Sequence, residues 1–405
     1  MFFLPTIEEA RQMVAENECF IEKREMVHGH EVIMFNYLLA VYNDFANPIK
    51  ESPEKTAFEL RGLTFVKQND GSYKRFLMLH KFFNLNQCKN YMYEDLKDEE
   101  IIDVADKLDG SMMSFIDLPC GKIVAKTKMA FFNDQTGLGN DFYEVNENYR
   151  EFIKECLKQR IAPIFELTSP LNRIVLKYDK THLTLLRLRD QETGEYLDIR
   201  KSELAKKYNI SLAEAYIIPE KYKVGSVIDS LLEMKKYQED IEGVIVATPK
   251  CLYKVKTDWY MENHSLLTDV LARENKLAEI ILEEKIDDVL GTLDKDDNRR
   301  DMLNVLSEKM TKYVHAKTAE ALTFLTETYT GDRKEFGIKY NKHELFKFTV
   351  RATSLEEKDA RKQSIFEHVM KDVTQRTLKL ERARIFFEEE LDFTLVEYFK
   401  NLEEF

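Results

Sequence analysis

The sequence predicts an α+β domain of antiparallel sheets over residues 1–261, followed by an all-α domain over residues 262–405. The chain has 405 residues, more than one hydrophobic core usually serves. All eight prolines lie at or before Pro249, and ten of the thirteen glycines precede Trp259. Such residues break helices and mark turns, so their scarcity afterwards predicts long helices. Short apolar runs of strand length fill the first part, and apolar residues at helical spacing fill the second.

Taken in order, the strand-length runs are Ala57–Val66, Ser111–Leu118, Lys122–Lys128, Ala162–Thr168, Leu183–Asp190, Gly243–Thr248 and Cys251–Lys256. The pairs Asp70-Gly71, Cys120-Gly121 and Thr193-Gly194 supply turns among them. In the second part, Leu266–Leu282 and Met302–Leu325 carry the helical spacing.

Composition narrows the function. Hydrophobic residues make up 44% and charged residues 33%, as in soluble globular proteins rather than disordered or collagenous ones. No run of about 18 apolar residues suggests a membrane span, and the first residues lack an export signal. Five scattered cysteines without a CxxC pair argue against a disulfide framework or zinc knuckle and point to a reducing cytoplasm. With 60 basic against 73 acidic residues the net charge is −13, so any polyanion site is a local groove. The basic stretch Gly331–Leu380 reads first as a solvated helix face. Neither HExxH, GxSxG nor GxxxxGK[ST] occurs, which excludes those zinc-protease, serine-hydrolase and P-loop signatures.

The sharpest local signal is Lys107-Leu108-Asp109-Gly110, where Gly110 allows a tight turn that presents an amine at a pocket edge. Residues further along the chain add weight to it. Glu166 lies inside the apolar run Ile164–Leu167, and such a carboxylate needs a partner or a ligand. Glu242-Gly243 opens another strand, and Lys254 and Lys256 fall on one face of the next by two-residue alternation. Two amines aimed together invite a phosphate.

These residues, in this order, resemble motifs I, III, IV and V of the covalent nucleotidyltransferases, the superfamily of ATP-dependent ligases and capping enzymes. Within it the chain most resembles the RNA ligase 1 family of T-even phages. Supporting stretches are Arg61-Gly62, Lys81–Asn84, Asn172–Val175, Glu192–Tyr196 and Lys256–Tyr260. The resemblance implies an ATP-grasp-like nucleotidyltransferase domain and an RNA ligase acting through a lysyl-AMP on Lys107. Lys254 and Lys256 would bind phosphate, Glu166 the ribose hydroxyl, and Glu242 a divalent metal, Mg²⁺ or Mn²⁺. Leu186 and Ile245 are the candidates for the walls of an adenine slot. Arg61, Lys81, Phe83 and Lys128 complete the ATP-binding set, with Asp109, Gly110 and Tyr260 as further candidates. Lys126 lies one alternation from Lys128, and either can be the functional amine.

Lys107 must be a neutral amine to attack the α-phosphorus of ATP. Crowded cations disfavour a second ammonium, and the same cations would bind the triphosphate. The implied partner is RNA, namely tRNA cleaved during phage infection, joined by a monomer in the bacterial cytoplasm, with the helical domain recognising the tRNA. A DNA ligase or capping enzyme would share the motifs but carry an OB-type β domain after Lys256. A non-catalytic RNA-binding protein on a decayed ligase scaffold is the rival from another class.

Overall fold

The computed structural model describes residues 3–108, 110–170, 179–239, 241, 243–249, 251–258, 273–290 and 299–395. The chain groups into two units, Met1–Leu38 with Tyr42–Tyr260, and Leu39–Val41 with Met261–Phe405.

The first unit begins with helix Ile7–Glu16, whose N-terminus is closed by a reciprocal Thr6–Glu9 capping box. Strands β1 (Phe20–Val27), β2 (His30–Tyr37), β3 (Leu63–Lys67) and β4 (Tyr73–Phe76) then form an antiparallel sheet in sequence order. A second sheet has the order β10-β9-β8-β6-β7, from β6 (Ser111–Asp117), β7 (Ile123–Lys126), β8 (Ile161–Thr168), β9 (His182–Asp190) and β10 (Tyr196–Leu197). The third joins β12 (Leu252–Lys256), β11 (Gly243–Ala247) and β5 (Asp103–Asp106), again antiparallel. Of the expected run Ala57–Val66, only the end from Leu63 forms strand; Ala57–Leu60 is buried turn. Strand β1 is charged through its middle, Glu22–Glu25, and β5 has only four residues, so apolar run length does not reveal them; β2 holds the apolar run Val32–Phe35, which the sequence reading passed over.

One face of the second sheet is closed by helix Glu147–Lys158. Its Tyr149, Phe152, Ile153, Cys156 and Leu157 recur at helical spacing and are buried. They join Phe115, Phe165, Leu167, Leu183 and Leu185 in one core. Because successive strand residues alternate faces, Met112 and Glu166, paired across β6 and β8, point away from that core. Strand β9 breaks the alternation once. Leu185 pairs with Phe165 and Arg187 with Ile164, which leaves Leu186 without a partner in a β-bulge. Leu183 and Leu185 before the bulge, and Leu188 after it, occupy the core. Leu186 and Arg187 are therefore both turned to the opposite face.

In the second unit every element among the described residues is helical. Arg299–Thr328, 30 residues and about 45 Å long, packs against Lys358–Thr377. It buries Met302, Leu303, Leu306, Met310, Val314, Ala321 and Leu325. Lys309 donates to the carbonyls of Leu391 and Asp392, just where the left-handed Asp392 ends helix Leu380–Leu391. Leu39 groups here through its N–H to Glu284 at 3.0 Å and its carbonyl to His315 at 3.0 Å. Among the described residues no helix is long and apolar enough to cross a membrane.

Candidate active site

The turn carrying Lys107 leaves the third sheet at the end of β5 and enters the second at Ser111. Both sheets thereby contribute to a cavity of about 270 Å³ lined by Lys107 and Gly110, near the lower bound for small-molecule sites. From the third sheet come Ala105, Ile245 and Lys254, which form one row across β5, β11 and β12. From the second come Met112, Glu166, Leu186 and Arg187. Segment Ile210–Tyr216 ties the two together, since Ser211 and Ala213 bond to Leu185 while Glu214 and Tyr216 bond to β5.

Arg61 and Lys254 approach the same ring. The guanidinium stands 5.5 Å and the ammonium 5.4 Å from the centroid of Phe82, within reach of a cation–π attraction. Strand β12 holds this arrangement by its backbone, since Lys254 takes part in a parallel bridge with Asn84, accepting from Leu85 and donating to Phe83. Phe83, expected at the ATP site, is instead 1% exposed in an aromatic cluster with Tyr42, Phe45, Phe58 and Tyr91. Its neighbour Phe82 is the ring that lines the cavity. Lys256, opposite Gly243, is nearly buried and outside the cavity lining.

Two further expected amines meet over a second ring. Lys128 lies 3.8 Å and Lys81 5.5 Å from the centroid of Tyr37. Neither lines the cavity. Lys126, the alternative to Lys128, is 1% exposed and donates to the Gly62 carbonyl at 2.8 Å, with Met78 Sδ also at 2.8 Å. That places it beneath the Arg61-Gly62 turn, and burial pulls its amine down to about 7. Between that value and the ordinary lysine value the unfolded chain binds the extra proton, so this group makes stability rise with pH across that window. The expected result is that Lys126→Met gains stability relative to wild type below pH 7. The gain should shrink by at most about 1.4 kcal/mol per unit towards the ordinary lysine value. Urea unfolding at several pH values measures it, and a difference independent of pH would refute the assignment.

Among the described residues, the carboxylates lining the cavity are Asp106 and Glu166. Asp106 Oδ1 is buried with no hydrogen-bond partner among the described residues. Burial raises the Asp106 carboxyl above its ordinary value, and the Glu214 charge adds to the effect. A hard, unsatisfied oxygen is the kind of donor that a divalent cation takes when water completes its shell. Glu242, the expected metal ligand, lies outside the described residues, as do Asp109, Tyr260 and Asn172–Val175.

Residues 59–260, which hold every lining residue of this cavity, match the sequence profile of a family described as RNA ligase. The chain belongs to the RNA ligase family. A Thermovibrio ammonificans protein provisionally named an RNA ligase is 28% identical over 295 residues, 71% of this chain and 72% of that protein. Two forms of an archaeal ATP-dependent RNA ligase resemble the structure. Form 2 has 12% identity and a TM-score of 0.45, covering 77% of this chain and 79% of its own. Form 1 has 13% identity and a TM-score of 0.42, covering 68% of this chain; the match spans 65% of that chain, just under two thirds. A Naegleria gruberi RNA ligase variant with AMP and Mn has 14% identity and a TM-score of 0.37, covering 65% and 84%.

In this RNA ligase the Lys107 turn is tightly walled. A Cβ on Gly110 would clash with the Leu167 carbonyl and meet Glu166 Cγ at 3.1 Å, both on β8. Gly110→Ala is expected to push the turn off β8, costing about 1–3 kcal/mol of stability and most of the RNA-joining activity. Activity equal to wild type would show that the turn need not touch β8. The sequence reading missed Phe82, Asp106 and Arg187. Asp106 precedes Lys107 directly and was open to notice, whereas Arg187 reaches the cavity only through the bulge.

Proposed function

We propose that this RNA ligase is ATP-dependent and joins RNA ends in three steps at the one cavity. Lys107 Nζ forms a bond to the α-phosphorus of ATP while the α–β anhydride bond breaks, and pyrophosphate leaves. The AMP passes to an RNA 5′-phosphate and frees the lysine. An RNA 3′-hydroxyl then attacks that activated phosphate, a phosphodiester forms and AMP departs. The observation that supports this reading is the convergence of Arg61, Lys107, Glu166 and Lys254, far apart in sequence, on a single cavity.

Arg61 and Lys254, with Lys256 on the same strand, are assigned to the phosphates, where fixed cations offset charge as it develops. Glu166 accepts the ribose hydroxyl, and Leu186 and Ile245 flank adenine. A divalent cation held by Glu242 with Asp106 would, when bound, further neutralise the triphosphate. The physiological substrate assigned is cleaved tRNA. That rests on the phage-family resemblance and on an accompanying helical unit with basic residues between Gly331 and Leu380.

The test is ligation of single-stranded RNA, a nicked duplex and an anticodon-cleaved tRNA, each with ATP and Mg²⁺ or Mn²⁺. The cleaved tRNA is expected to be sealed fastest. Preference for the nicked duplex would overturn the tRNA assignment, and failure to join any substrate would overturn the ligase reading itself.

A further inference from the structure

Arg187 is a costly residue to bury. It is 3% exposed, burial lowers its tendency to hold its proton, and its Nε has no hydrogen-bond partner among the described residues. A stable core does not require it, since apolar groups of similar volume often replace buried ion pairs without loss. What it does locally is specific. One terminal nitrogen, Nη1, donates to Asp103 at 2.8 Å and to the Leu186 carbonyl at 2.6 Å. The other, Nη2, reaches the Ile245 carbonyl at 3.4 Å. Asp103 is held in turn by Arg200 Nε at 3.1 Å. Leu186 lies in the second sheet and Ile245 in the third, so one planar group cross-links the two walls of the cavity.

We propose that Arg187 is a positioning residue of the nucleotide site, which sets the width of the base slot by holding the Leu186 and Ile245 backbones at a fixed separation. The inference rests on the reading of those two residues as the adenine walls. The bulge in β9 is what makes it possible, because in regular alternation Leu186 and Arg187 would lie on opposite faces. Asp103, bonded to the same Nη1 that donates to Leu186, anchors the guanidinium between the two carbonyls. Lysine keeps the charge, but its single ammonium on a flexible stem does not reproduce the rigid fork.

The experiment tracks label transfer from α-labelled ATP to the wild-type, Arg187→Met and Arg187→Lys chains, with AMP and tripolyphosphate as competing ligands. For Arg187→Met, the KM for ATP and the inhibition constant of AMP should each rise about tenfold, with kcat within about threefold. The inhibition constant of tripolyphosphate, which lacks a base, should stay within about twofold, and Arg187→Lys should fall between the two. A merely structural role would lower stability without separating AMP from tripolyphosphate, and that result overturns the proposal. If Arg187→Met does not fold, Arg187→Lys decides, and a wild-type KM in that variant overturns it equally. A wild-type chain that takes no label and shows no ATP binding by calorimetry would instead remove the slot, and Arg187's role with it.

Discussion

Lys107→Ala, incubated with α-labelled ATP and a divalent cation, is expected to take up no covalent label, where the wild-type chain becomes labelled and releases pyrophosphate. Lys107 lines the cavity with Glu166, Arg61 and Lys254, and alanine removes the atom to which the adenylate would bond. Of the other cations that line the cavity among the described residues, Arg61 and Arg187 are guanidiniums, and Lys254 lies against Phe82. The loss should exceed about a thousandfold, as removal of a nucleophile does. Joining of a chemically pre-adenylated RNA needs no lysyl adenylate, so it should survive in part. Label retained by Lys107→Ala would defeat the nucleophile assignment, while equal loss of both reactions would point to a collapsed site.

For stability, the largest effect is expected at Glu59. Its carboxylate meets Arg189 through bonds of 2.5 and 2.8 Å, with both side chains 1% exposed. Arg189 also donates to the carbonyls of Gly194 and Met78 and lies 4.8 Å from the Tyr196 ring. Glu59→Ala would leave that guanidinium buried without its counter-charge, at a cost of about 3–5 kcal/mol. The double change Glu59→Ala with Arg189→Met should recover most of the loss, because the expense lies in the unpaired charge. Denaturant unfolding of the three proteins measures this. A single-variant loss below about 1 kcal/mol would mean that water or another residue reaches the guanidinium. Glu59 sits two residues before Arg61 in the same turn, where the Arg61 N–H donates to the Glu59 carbonyl, so activity should fall alongside stability.

Much of this architecture was legible in sequence because it depends on local rules. Glu166 between Phe165 and Leu167 had to face away from an apolar core, and it does. Turn residues such as Asp70-Gly71 were legible for the same reason: Gly71 adopts a φ of 85°, which favours glycine. Other features depend on register between distant segments. Alternation put Lys126 and Lys128 on one side of the expected run Lys122–Lys128, yet β7 ends at Lys126, and the approach of Gly62 decides that Lys126 is sealed in. Likewise Phe82 and Phe83 are interchangeable apolar letters until the bridge between Asn84 and Lys254 fixes which ring faces the cavity. Arg187 was hardest to foresee, since a bulge depends on how β9 meets β8 and no residue type announces it.

That unpaired position at Leu186 also gives β9 two counting phases, even-numbered towards the cavity side before it and odd-numbered after it. Length changes along the strand should therefore be tolerated unequally. Removing Leu186 itself would restore a uniform rhythm, keep Leu188 against the sheet's oily side with Arg187 opposite it, and cost the cavity only the extra side chain. Compensated changes confined to either flank would leave both phases intact.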